Sequence, residues 1–179
     1  NVHALSRVSK SKGRRARYIR WQREHKNSLW QIDHTDEQEK GHYTLSIVDD
    51  ATRYSLILAK LNTVTIDNVI ILLDKLIMKY GKPKEILTDN GPEFKTGLTF
   101  MLSESDIKLR HSRVRKPNDN AHVERFNRTI QEECFKRRLP DEKFITSEIK
   151  NYLEYYNHHR LHLSLNLLTP TQFVAKVLT

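Results

Sequence analysis

The stretch Glu85-Ile86-Leu87-Thr88-Asp89-Asn90-Gly91-Pro92 constrains the fold more than any other. Glu85-Ile86-Leu87 is a short apolar burst of the kind that forms a buried strand. Asn90-Gly91-Pro92 then forces a sharp turn, because Asn and Gly tolerate positive φ and Pro ends regular pairing. Upstream, Thr65 caps a helical pattern in which Ile66, Val69, Ile70, Leu73, Leu76, Ile77 and Tyr80 keep a three-four spacing. Gly81 and Pro83 stop it. A strand reached through such a helix arrives by a crossover, so one pair in the sheet is expected to be parallel. Asp89 then stands at the carboxyl edge of a strand, where open α/β sheets place ligand-binding groups.

The rest of the chain supplies the other elements. Leu29 to Thr35 alternates, with Trp30, Ile32 and His34 on one face and Gln31, Asp33 and Thr35 on the other. Tyr43 to Val48 and Tyr54 to Leu58 are two more strand patterns, joined by a tight turn at Asp49 to Arg53, so the three form a meander. In this order the first strand is central and lies next to the fourth. Phe94, Leu98, Met101 and Leu102 predict a short helix, and Ile107 to Val114 a fifth strand. A long helix follows the Pro117 to Ala121 loop, with its Asn and Asp residues as candidate caps. On a wheel of 100° per residue, Val123, Phe126, Ile130 and Cys134 make its core stripe. Glu124, Asn127, Arg128 and Gln131 adjoin that stripe, and Arg125 points toward a neighbouring helix. Ile145 to Tyr156 gives another helix, and Thr169-Pro170 opens the last. The predicted fold is α/β: one domain with a mixed five-stranded sheet flanked by helices.

Charge divides the chain at residue 26. The first 26 residues carry nine Lys or Arg and one Glu, whereas the remaining 153 carry 22 against 21 acids. Residues 1–26 therefore read as a basic arm or linker and 27–179 as the folded core. Arg14, Arg15 and Arg17, set among Ser and Gly, suit phosphate contacts. A second basic knot, Lys108, Arg110, Arg113, Arg115 and Lys116, holds no acid in its own stretch. There is no apolar run of about eighteen residues and no signal-peptide pattern. Cys134 is the one cysteine, so internal disulfides and Cys-rich zinc motifs are excluded within this chain, which fits a reducing compartment.

Two other acids can meet Asp89. Asp33 lies in an otherwise apolar strand, where an unpaired carboxylate is costly to bury. Glu124 falls in the first turn of the long helix, beside its core stripe. Three carboxylates in one cleft raise one another's pKa unless a cation compensates, and oxygen-only ligands suit Mg²⁺ or Mn²⁺. On the residues alone, a metal-dependent phosphodiester enzyme and a scatter of surface acids both stand. Asn90 and Asn120 are candidates for hydrogen-bonding the carboxylates, beside a plain turn role. Arg128 and Gln131, on the strip of Glu124, can meet a DNA backbone. His34 reads as a packed histidine, and His158, His159 and His162 match no familiar zinc spacing.

Trp30-Gln31-Ile32-Asp33, Thr88-Asp89-Asn90-Gly91-Pro92-Glu93-Phe94 and Asn120-Ala121-His122-Val123-Glu124-Arg125-Phe126-Asn127-Arg128 together resemble the Asp-Asp-Glu transposases and retroviral-type integrases. The likeness is greatest to the bacterial insertion-sequence branch. It extends through Tyr156-Asn157, Arg160, His162 and Leu165 to Thr169-Pro170. The resemblance implies an RNase H-like fold, two Mg²⁺ or Mn²⁺ ions held by Asp33, Asp89 and Glu124, and cutting and joining of DNA ends. It also implies multimers on paired element ends and target DNA, in a bacterial cytoplasm at the nucleoid. The 34 residues between Asp89 and Glu124 are one fewer than is common in the family, a loop-length difference that removes no ligand. Residues 1–26 are too few and too basic for a helix-turn-helix, so a separate N-terminal DNA-binding domain is expected outside this chain. A nuclease that cuts without joining, and a DNA-binding module that no longer catalyses, remain as rival readings.

Overall fold

The computed structural model describes residues 23–37, 42–91, 94, 96–113, 119–135 and 145–177. Strands β1 (Leu29–Glu37), β2 (His42–Asp49) and β3 (Ser55–Leu61) are followed by helix α1 (Ile66–Tyr80) and strand β4 (Glu85–Thr88). Then come α2 (Thr96–Glu104), β5 (Lys108–His111), α3 (Ala121–Ile130), a π-helical turn (Gln131–Phe135), α4 (Ile145–His158), a 3₁₀ turn (Leu163–Leu165) and α5 (Pro170–Val177).

The sheet order is β3-β2-β1-β4-β5. The first three strands are an antiparallel meander, as their spacing requires. β4 pairs in parallel with β1, and β5 in parallel with β4. Two parallel pairs therefore replace the single one expected, because α2 makes a second crossover of the kind α1 makes. β5 is shorter than the Ile107 to Val114 pattern, and Val114 lies outside the described residues.

The period-two pattern of β1 divides the core. Trp30 and Ile32 are fully buried in a cluster with Leu45, Ile47, Val69, Leu73 and Ile86 beneath α1 and α2. On the other face, Val48 and Leu58 pack with Val123, Phe126, Ile130 and Cys134 of the long helix and with Ile149, Tyr152 and Tyr156 of α4. The helix over that face is not uniform: α-helical bonding ends at Ile130 and a π turn carries the chain to Phe135.

Local chemistry sets the ends. Thr65 Oγ1 accepts from Asn68 N, and Gly81 takes a φ of 90° that disfavours any L side chain. Thr169 and Gln172 form a reciprocal box at the start of α5, each side chain bonding the other's backbone N–H at 3.2 and 3.0 Å. α4 is fixed to β3 by Asn157, which accepts from Ser55 N and donates to Ser55 O, both at 2.9 Å. No described helix is long and apolar enough to cross a membrane.

Candidate functional site

Sheet register brings the two aspartates together. β1 and β4 run parallel with Leu29 opposite Glu85 and Gln31 opposite Leu87. Continuing that register by two residues sets Asp33 beside Asp89, on neighbouring strands spaced about 4.8 Å apart. Asp89 follows the last residue of β4, and its Oδ1 accepts from Gly91 N at 3.0 Å, which fixes the turn. Thr88, fully buried, and His111 brace it: His111 Nδ1 lies 3.1 Å from Thr88 Oγ1 and 3.0 Å from the Asp89 carbonyl.

Glu124 comes from the helix above. α3 is docked onto β1 by Gln31, whose Oε1 accepts from Val123 N at 3.1 Å and whose Nε2 donates to Asp50 at 2.7 Å. Glu124, in the first turn, is exposed, and one turn on, Asn127 Nδ2 donates to Asp33 Oδ2 at 2.8 Å. Burial, then the charge of Asp89, push the Asp33 carboxyl up to about 6; Glu124 adds to the rise, while His34 opposes it. The charges of Asp89 and Glu124 thus both reach Asp33. As their side chains stand, no group of three His, Cys, Asp or Glu among the described residues is close enough to hold a metal.

The other expected contacts fall less evenly. Asn90 Nδ2 donates to the Ser112 carbonyl at 2.8 Å, so this amide ties β4 to the segment after β5. Asn120 precedes α3 without capping it, and its buried Oδ1 has no partner among the described residues. Asn127 is the amide on a carboxylate, a role its place on the Glu124 strip could have signalled. Arg128 is exposed, its side chain without a hydrogen bond or ion pair among the described residues, and Gln131, the first residue of the π turn, is half-buried. Arg14, Arg15, Arg17, Arg115 and Lys116 lie outside the described residues.

The second basic knot is not bare in space. Glu85 pairs with Arg110 at 3.2 Å, with Lys108 at 3.8 Å and with Arg23 at 2.7 Å. Arg113 donates from Nε and Nη2 to Asp119, whose carboxyl it holds down at about 2. These acids lie outside the knot's own stretch of sequence, so a local charge count misses them. Arg125 also departs from expectation: it is exposed, because its flank of α3 faces a cavity rather than a helix. His34 does pack, 5.9 Å from the Phe94 ring centroid.

Sequence reasoning missed a buried network at the β2–β3 turn. Asp50 accepts from Arg23 N, from Gln31 Nε2 and from His122, whose Nδ1 is 2.5 Å away. A guanidinium can only donate, so Arg53 Nη2, 2.9 Å from His122 Nε2, makes that nitrogen the acceptor and leaves Nδ1 to donate to Asp50. Burial alone raises the Asp50 carboxyl, but these donors hold it below the usual range. Adjacent acids in the tight turn Asp49-Asp50 were the available signal. Asp49, bonded by Thr52 and Asn27, fixes the turn itself.

Comparison with known proteins shows the family and the fold. The chain is 31% identical over 159 residues to the uncharacterized 31.7 kDa protein of insertion element IS407 from Burkholderia multivorans, covering 84% of this chain and 56% of that protein. It is 32% identical over 143 residues to the uncharacterized 39.2 kDa protein of insertion element IS476 from Xanthomonas euvesicatoria, covering 75% and 40%. The chain thus spans about half the length of these relatives or less. Its fold is that of the HTLV-2 integrase catalytic core domain, solved in complex with magnesium, with a TM-score of 0.64 at 22% identity over 82% of this chain and 95% of that one. This is the RNase H-like arrangement. Residues 23–117 match one integrase core domain family and residues 105–170 a second bearing the same description, so the chain belongs to the integrase core domain family.

Proposed function

We propose that this chain is the catalytic core of a DNA transposase or integrase that cuts and joins DNA strands by in-line phosphoryl transfer. The observation that carries the reading is the convergence of Asp89 and Glu124 on the buried Asp33, whose carboxyl is raised to about 6 by burial first and by the Asp89 charge next. Like charges gathered this way call for a cation, and an all-oxygen donor set suits Mg²⁺ or Mn²⁺. Asp33, Asp89 and Glu124 would hold two such ions. Bound there, the metal pair would supply a nucleophilic oxygen and stabilise the leaving one.

The chain's own residues do the rest. Central strand β1 holds Asp33 rigid, and Asn127 orients one of its oxygens. Gln31 sets the depth at which α3 presents Glu124. Arg128 and Gln131, on the same strip, meet the DNA backbone, and Arg14, Arg15 and Arg17 of the arm add contacts that make binding strongly salt-dependent. The enzyme works in the bacterial cytoplasm, at the nucleoid, as at least a dimer on paired ends, with end recognition supplied by a further N-terminal domain.

The test is cleavage and joining of a labelled DNA end with Mn²⁺ or Mg²⁺, comparing wild type with Glu124→Gln. Metal-dependent product that disappears in the variant supports the triad, and joined product selects strand transfer over plain hydrolysis. Equal product from both proteins would remove Glu124 from the chemistry.

A further inference from the structure

α3 has three working sides. Val123, Phe126 and Ile130 face the core, and Glu124 and Asn127 face Asp33. His122, Arg125 and Thr129, at a spacing of three and four, lie roughly opposite the Glu124 strip on a 100° wheel and line a cavity of about 430 Å³. The β2–β3 turn, the end of α4 and the segment after it close the cavity, through Arg53, Tyr156, Arg160 and His162. No acid is among the residues that line it.

The cationic groups are held in place from behind. Glu133 grips Arg160 with both oxygens, at 3.0 Å to Nε and 2.7 Å to Nη2. Asp50 holds His122, which accepts from Arg53. Arg125 has no hydrogen bond or ion pair for its side chain among the described residues. His162 is about nine-tenths buried, and its Nε2 has no partner among the described residues. A buried polar atom left so is costly unless something fills its bonding capacity.

We propose that this cavity is a phosphate-binding site, taking a phosphoryl group from a nucleic-acid backbone or from a free nucleotide. Planar guanidiniums set at fixed angles match phosphate oxygens, and the volume admits a nucleotide unit rather than a bare ion alone. His162 joins in once the anion is present. Burial, then the nearby Arg160 charge, hold its imidazole down at about 4, and a phosphate that offsets the guanidinium lets Nε2 take a proton and donate it. The site stands apart from the carboxylates; only the assignment of its phosphate to DNA rests on the strand-transfer reading.

The experiment is run in EDTA, so that no divalent metal contributes. Pyrophosphate binding is measured by calorimetry, and binding of a short labelled duplex by anisotropy over a salt series, for wild type, Arg125→Ala, Arg125→Glu and Arg125→Lys. Arg125 is exposed, so these variants should keep the fold, checked by circular dichroism. Pyrophosphate binding that falls about tenfold or more in Arg125→Glu and partly recovers in Arg125→Lys is expected. If the phosphate is that of DNA, pyrophosphate displaces the duplex, and Arg125→Ala lowers the log–log salt slope by about 1. Pyrophosphate binding lost in Arg125→Glu with duplex binding unchanged supports the site and assigns it to a free nucleotide. No pyrophosphate binding in wild type, or equal binding in Arg125→Glu, overturns it. Failure of metal-dependent cleavage would sink the strand-transfer reading and leave the EDTA result standing.

Discussion

Asp33→Asn should make the metal-free protein more stable at neutral pH, and the pH dependence of that gain is its signature. The Asp33 carboxyl is pushed from 3.8 up to about 6 by burial first and the Asp89 charge next. A raised acid binds more protons in the folded state than in the unfolded one. The wild-type fold is therefore favoured at low pH and loses stability as pH rises from about 4 to about 6. Asn is close to the protonated carboxyl in shape and can still accept from Asn127. The difference between variant and wild type is thus near zero below pH 4, grows through the window and levels off above pH 6. Two pKa units set its ceiling at about 3 kcal/mol. For a chain of this length that is at most about 6–12 °C in Tm. Urea unfolding of both proteins from pH 4 to 8 in EDTA reads it directly. Adding Mn²⁺ should stabilise wild type and leave Asp33→Asn behind. A variant no more stable than wild type at pH 7.5, or a gap that does not change with pH, would refute the reasoning.

Asn157→Ala should cost roughly 2–4 kcal/mol, since it strands both backbone groups of buried Ser55, and the urea midpoint reads the loss. Gly81→Ala should cost about 1–2 kcal/mol, because φ is 90° and the added Cβ meets Asn27 Nδ2 at 3.1 Å; thermal melts measure it. Glu85→Gln removes the acid shared by Arg23, Lys108 and Arg110, so duplex binding should tighten and its salt slope steepen in anisotropy titrations. Unchanged binding would place that cluster away from the DNA path.

Much of the fold was legible in the sequence because local rules governed it. Period two in Trp30-Gln31-Ile32-Asp33 assigned faces, the three-four spacing from Ile66 to Tyr80 gave α1 with both ends, and tight turns fixed the meander. The candidate triad was legible because Asp33 interrupts an apolar strand, Asp89 follows the end of one and Glu124 falls in the first turn of a helix. The π turn at Gln131 was not, since a wheel assumes one period throughout and the same stripe fits both windings as far as Ile130.

What the sequence alone determined is which residue types occupy which element, because side-chain periodicity and turn chemistry act over a few neighbours. The tertiary structure decided which charges meet. Asp119 pairs with Arg113, six residues earlier, Glu85 gathers cations from β5 and from residue 23, and Asn127 rather than Asn90 or Asn120 reaches a carboxylate. Coulomb and hydrogen-bond energies depend on distances of a few ångströms. Those distances are set by how strands register and helices dock over separations of tens of residues, which no local window contains.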